Sequence, residues 1–186
     1  MNCIKQRECE CPKCVEDIAT ALKFVSNEYT RISGINCEGN LYDQAGEHAF
    51  VAELYHQLKT IIEHDESGYY NDLLLHFDLT KRRFLDQRPD LVLHHSPHDR
   101  KRQEMYVEVK TAWNVGDIVD DLQKLIDATS RDDNHNKLGY KYGVMIMGNI
   151  TKINSQRLIQ DYPEIFHHPQ LFFITFERNN PNFYLF

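Results

Sequence analysis

Met105-Tyr-Val-Glu-Val-Lys110 is the stretch on which the reading of this chain turns. On a strand, side chains two apart share a face, so Glu108 and Lys110 point one way while Met105, Val107 and Val109 point the other. An acid and a base are thereby held side by side. Upstream, Arg88-Pro-Asp-Leu-Val-Leu93 reads as a second strand, with Pro89 suited to a first strand position and Asp90 at the strand's mouth. If the two strands pair as a hairpin, Asp90 comes near Glu108.

Working outward, apolar residues at Ile18, Leu22, Val25, Tyr29 and Ile32 give the spacing of an amphipathic helix from Val15 to Ile32, closed by Ser33-Gly34. Phe50, Val51, Leu54, Leu58, Ile61 and Ile62 mark a second helix that stops near Asp65 to Gly68. Three strands are expected at Leu73 to Leu79, Leu91 to His95 and Met105 to Trp113, with breaks at Asp86 to Arg88 and Ser96 to Arg102. A helix follows, with Asp117 as N-cap and Ile118, Leu122, Leu125, Ile126 and Thr129 on one face. Tyr142 to Met147 is a continuous apolar run, as in a strand covered on both faces. A short helix from about Ser155 to Tyr162 and strands at Leu171 to Phe176 and Asn182 to Phe186 complete the order α-α-β-β-β-α-β-α-β-β. That order implies an α/β or α+β fold on a mixed central sheet flanked by helices.

Two carboxylates and an amine at one sheet end suit metal-assisted phosphodiester hydrolysis. Hard oxygen ligands favour Mg²⁺ or Mn²⁺, which keeps waters and completes its shell with substrate phosphate. The metal would acidify a bound water and offset charge on phosphorus, with the Lys110 ammonium orienting the water or stabilising negative charge. A third acid follows from helix geometry: Glu47 lies in line with the buried stripe of Phe50, Val51 and Leu54, whereas Glu53 falls with His56, Lys59 and Glu63 on the polar side. An acid on a core-facing stripe is costly unless it meets a cation. The other reading of a Glu/Lys pair on a strand is a cross-strand ion pair on a solvated face.

At these residues the chain resembles the PD-(D/E)XK nuclease superfamily, the restriction-endonuclease-like fold. The matching pieces are Pro89-Asp90, Glu108-Val109-Lys110 as the ExK element, and Glu47 in the preceding helix. Gly46-Glu-His-Ala-Phe-Val-Ala-Glu-Leu54, Arg88 to His94 and Asp121-Leu-Gln-Lys-Leu125 are similar to stretches of small nuclease-like domains of bacterial defence and mobile-element proteins. The match spans roughly residues 42–148, dividing the chain into a Cys-rich arm and helix at 1–41 and a nuclease-like domain at 42–186. The resemblance implies Asp90 and Glu108 as Mg²⁺ ligands, the Val109 carbonyl as another, Lys110 at the water, Glu47 at or beside the metal, and Lys124 lending charge to the phosphate.

Composition narrows the classes. The 186 residues carry a formal net charge of -7, which argues against coating nucleic acid through bulk charge. Local basic groups at Lys81, Arg82, Arg83 and Arg88 and at Arg100, Lys101 and Arg102 could guide a phosphate backbone or serve as solvated turn residues. A mean hydropathy of -0.57 and the absence of an apolar run near ~20 residues exclude a membrane span. The polar start, MNCIKQRECECPKC, lacks a signal-peptide core, so a cytoplasmic location is expected. Cys3, Cys9, Cys11 and Cys14 could hold a structural zinc or remain reduced thiols, and Cys37 stands alone. No HExxH, GxGxxG, Walker A or GxSxG pattern occurs, and the histidines, among them His94-His95, are expected on surface or loops. Phe172, Phe173, Phe176, Phe183, Tyr184 and Phe186 read as packing. The expectation is a Mg²⁺- or Mn²⁺-dependent nuclease acting on DNA, with RNA left open and a homodimer or protein partner allowed. The alternative is a catalytically silent binding or regulatory module on the same fold.

Overall fold

The computed structural model describes residues 11–35, 41–77, 88–96, 99–130, 138–148, 152–177 and 180–185. Helix α1 (Lys13–Leu22) is followed by a 3-10 turn at Asn27–Thr30 and an antiparallel hairpin of β1 (Arg31–Ile35) and β2 (Leu41–Ala45). Then come α2 (Glu47–Glu63), β3 (Leu74–Phe77), β4 (Leu91–Ser96), β5 (Asp99–Lys110), α3 (Val115–Thr129), β6 (Tyr142–Gly148), α4 (Lys152–Asp161), α5 (Pro163–Phe166), β7 (Leu171–Glu177) and β8 (Asn180–Leu185).

Strands β3 to β8 form one six-stranded sheet in sequence order. The pairs β3–β4, β4–β5 and β7–β8 are antiparallel, whereas β5–β6 and β6–β7 are parallel. Parallel neighbours need crossovers, and α3 and the α4–α5 pair supply them. The sheet is therefore mixed and flanked by helices, the α+β class that the alternation and element order imply. β6 lies between two parallel partners and is buried from Gly143 onward, which explains its unbroken apolar run.

Each face has its own core. On one, Val15, Ile18 and Leu22 of α1 and Phe50, Val51, Leu54 and Leu58 of α2 pack on Leu91, Leu93, Met105, Val107 and Val109. On the other, Ile118, Leu122 and Leu125 of α3, with Leu158 and Phe166, pack on Val92, Tyr106, Met145 and Met147. Full burial of each such side chain stabilises by ~1.5–3 kcal/mol, so the two apolar layers are the scaffold on which buried charges can be carried. α3 lies close over β6 because Gly143 has no side chain: a Cβ there would stand 2.6 Å from Leu171 Cδ2 and 3.2 Å from Thr129 Cγ2.

Several boundaries differ from expectation. The first helix stops at Leu22 rather than Ile32, and residues 31–35 form a strand instead. Of the stripe beyond Leu22, Val25 still packs against the core but Tyr29 is 38% exposed. The Ser26 hydroxyl accepts the Glu28 N–H, a local bond that competes with helix. The proposed division at residues 41 and 42 falls at β2, and α1 shares a core with the sheet. α3 starts at Val115 with Asn114 as N-cap, its side-chain oxygen accepting the Gly116 N–H. Asp117, expected as the cap, instead accepts from the Asn114 amide at 2.9 Å. β5 ends at Lys110, short of Trp113, and begins at Asp99 inside the expected break, where Ser96 pairs with Asp99.

Candidate active site

The β4–β5 register sets the site. Leu91 faces Val107, which brings Asp90, just before β4, opposite Glu108. The Val109 N–H donates to Asp90 Oδ2 at 2.7 Å, locking that carboxylate to the neighbouring strand. Glu108 is only 3% exposed, and among the described residues no hydrogen bond reaches its Oε1. Burial pushes the Asp90 carboxyl up to about 6, against the Val109 N–H that favours its charge; the Glu47 and Asp121 carboxylates raise it further. Burial likewise lifts Glu108 well above the usual carboxylate range, aided by the charges of Asp90 and Asp121.

Lys110, one strand repeat beyond Glu108, sits between two helix layers. Its Nζ is 2.9 Å from Asp121 Oδ2 on α3 and 3.3 Å from Glu47 Oε1 at the first position of α2. Burial disfavours its charged form, but Asp121 and then Glu47 more than offset that, so the ammonium is held above the ordinary lysine range. Lys124, one turn beyond Asp121, pairs with Asp121 Oδ1 and remains 42% exposed at its side chain. Burial opposes its charge as well, and Asp121 and Glu108 reverse the direction to a net rise.

Asp90, Glu108, Lys110, Glu47 and Lys124 are thus brought together. Asp121, which joins them at 2% exposure, was not singled out from the sequence. A signal existed: Asp121 falls on the stripe Ile118, Leu122, Leu125, where an acid needs a cation, the reasoning that selects Glu47. With every group ionised, four carboxylates face two ammonium groups, an excess of two negative charges.

The donor set fits a hard divalent cation. A buried, unpartnered Glu108 oxygen faces a second carboxylate in a cluster short of positive charge, and oxygen donors are those that Mg²⁺ and Mn²⁺ take. Among the described residues no group of three or more His, Cys, Asp or Glu side chains is spaced as a ready metal cage. Glu47 meets the Lys110 ammonium. A cation here would therefore rest on Asp90 and Glu108 and draw further ligands from water or substrate.

Other expected positions fare variously. Arg82, Arg83, Cys3 and Cys9 lie outside the described residues, as do Lys81, Cys37, His98 and His135. Arg88 is exposed two residues before Asp90. Arg102 is drawn away from a substrate-guiding role: its guanidinium donates to the Tyr69 and Asn71 carbonyls and pairs with Glu104. It also stands eight residues from Lys110 along β5, roughly 26 Å. Cys11 is partly exposed, and Cys14 is buried in the core, where burial pushes its thiol up to about 11. His94, expected on the surface, is fully buried with its Nε2 3.1 Å from His76 Nδ1. Phe172 and Phe173 are buried, as expected of packing residues.

Comparison with protein-family models, with curated proteins and with solved structures gives no match for this chain.

Proposed function

We propose that the chain is a divalent-metal-dependent nuclease that hydrolyses phosphodiester bonds in DNA, of the PD-(D/E)XK type. The single observation that carries this reading is the buried Glu108, with an unpartnered oxygen, opposite the half-buried Asp90 and beside the ion-paired Lys110 ammonium. Asp90 and Glu108 would hold Mg²⁺ or Mn²⁺, which when bound supplies an acidified water and charge compensation at phosphorus. The chain's own residues do the remainder. Val109 N–H fixes the Asp90 carboxylate so that one of its oxygens stays oriented. Lys110 donates one N–H to Glu47 and pairs by charge with Asp121, which leaves donor capacity for the attacking water or a phosphate oxygen. Lys124, more exposed, can meet a second phosphate oxygen. DNA rather than RNA follows the commoner substrate of the resembled superfamily.

A second reading has its own support. Lys110 is already neutralised by two carboxylates, as in a structural ion-pair network, and a catalytically silent binding module would look the same at that point. Incubating plasmid and single-stranded DNA with wild type, Lys110→Ala and Glu108→Ala in Mg²⁺, Mn²⁺ or EDTA separates the two. Metal-dependent cleavage lost in both folded variants supports the nuclease; wild type inactive under every condition supports the silent module. Of membrane association the structure says one thing: no helix among the described residues is long and apolar enough to cross a bilayer.

A further inference from the structure

We infer that Asp121 is a positioning residue of this centre: its buried carboxylate, set between the Lys110 and Lys124 ammonium groups, fixes where both lysines stand relative to the substrate phosphate. The inference rests on the nuclease reading and names what makes the two lysines act together.

The argument starts from cost. Asp121 occupies an apolar helix stripe and is 2% exposed, a place where a carboxylate is expensive unless charged groups meet it. Its Oδ1 accepts from Lys124, and its Oδ2, which receives no well-aligned hydrogen bond, stands 2.9 Å from the Lys110 ammonium as an ion pair. The two lysines come from different elements, β5 and α3, and would repel one another without the carboxylate between them. The bridge therefore sets their spacing. With Glu47 it also places the Lys110 ammonium within ion-pair reach of α2 and α3 at once. A lysine held by one helix could swing; one held by charge from both has less room to move.

Asparagine at this position separates positioning from packing. It has nearly the same shape, but its one carbonyl oxygen can accept from only one lysine while its amide hydrogens face the other. Asp121→Glu keeps both acceptors at a longer reach and serves as the conservative partner.

The full-length wild type, Asp121→Asn and Asp121→Glu are compared in three ways. The first is acylation of lysine amines by an acetyl N-hydroxysuccinimide ester, read by peptide mass spectrometry with Lys59 as internal reference. The second is kcat and KM for a labelled DNA duplex in Mn²⁺, and the third is melting with and without Mn²⁺. In Asp121→Asn, Lys110 and Lys124 are expected to acylate several-fold faster. Its kcat falls about 10–100-fold, the scale of a misplaced catalytic group, while KM and the Mn²⁺-induced melting shift stay near wild type. Asp121→Glu recovers part of the kcat. A folded Asp121→Asn protein with wild-type kcat, or with unchanged acylation of both lysines, overturns the role. Loss of kcat that merely tracks loss of folded protein in both variants assigns Asp121 to packing and overturns it too. A wild type that cleaves no DNA defeats the nuclease reading and the catalytic role together, and that failure is recognised from the wild type alone, whatever the acylation rates show.

Discussion

Asp90 Oδ2 accepts the Val109 backbone N–H at 2.7 Å, so the acid at the mouth of β4 is pinned to the strand that carries Glu108 and Lys110. The bond turns hairpin register into site geometry: a slip of one residue would move Glu108 and Lys110 to the opposite face. It also separates two roles of Asp90, as hydrogen-bond acceptor and as charge. Asp90→Asn keeps an acceptor for Val109 and removes the charge. The variant is expected to melt above wild type at pH 8 in EDTA, because Glu108 loses a repelling neighbour, and to lose metal-dependent cleavage. Paired melting and cleavage measurements check both; unimpaired cleavage would remove Asp90 from the ligand set.

The raised carboxyls give a pH dependence of definite sign. Asp90 is at about 6 in the folded protein against 3.8 for the free side chain, so the folded state holds the proton more tightly. Stability therefore falls as pH rises from about 4 through 6, on the order of 3 kcal/mol for this group, and Glu108 acts in the same direction. Melting in EDTA should be higher at pH 5 than at pH 8, with the difference reduced in Asp90→Asn. Mn²⁺ should raise the melting temperature more at pH 8 than at pH 5. An equal Mn²⁺ effect at both would mean that protons and metal do not compete here.

Gly143→Ala tests how α3 is seated. The new methyl would meet Leu171 Cδ2 and Thr129 Cγ2, an overpacking that costs about 1–3 kcal/mol. Urea unfolding is expected to show a lower midpoint with an unchanged slope. A neutral result would mean that Leu171 moves aside without cost.

Midway along β5 a separate network offers a control. Glu104, 3% exposed, accepts the Tyr69 hydroxyl at 2.6 Å and pairs with Arg102 and Lys141. Glu104→Ala removes the carboxylate that these groups converge on; because Arg102 and Lys141 keep access to water, the expected cost is that of the lost Tyr69 hydrogen bond, about 1.5–3 kcal/mol. DNA cleavage below the lowered melting point should persist, since this network lies away from Lys110. Activity lost in folded protein would tie the middle of β5 to the site at its end.

The strand residues of the site were legible because period-two alternation assigns faces without knowledge of the rest of the fold. Glu108 and Lys110 followed from spacing, and Asp90 from a register that the apolar flanks dictate. Asp121 was legible by the rule that selected Glu47, yet stood inside a stripe read only for its apolar members. The end of α1 was not legible: Val25 and Tyr29 continue the helical spacing past Leu22, and periodicity carries no information that Tyr29 would be left exposed. His94 was misjudged because its partner His76 sits on the adjacent strand β3, and nothing local announces a buried imidazole pair.

The central claim is that the pair of half-buried Asp90 and buried Glu108 holds a divalent cation in a hydrolytic site. Its most direct test is a Mn²⁺ titration of metal-free wild type and Glu108→Gln by calorimetry at pH 8, with Mg²⁺ as competitor. The expected result is saturable binding by wild type, displaced by Mg²⁺ and lost in a Glu108→Gln protein that melts normally. Wild type without Mn²⁺ binding, or Glu108→Gln binding as tightly as wild type, would contradict it.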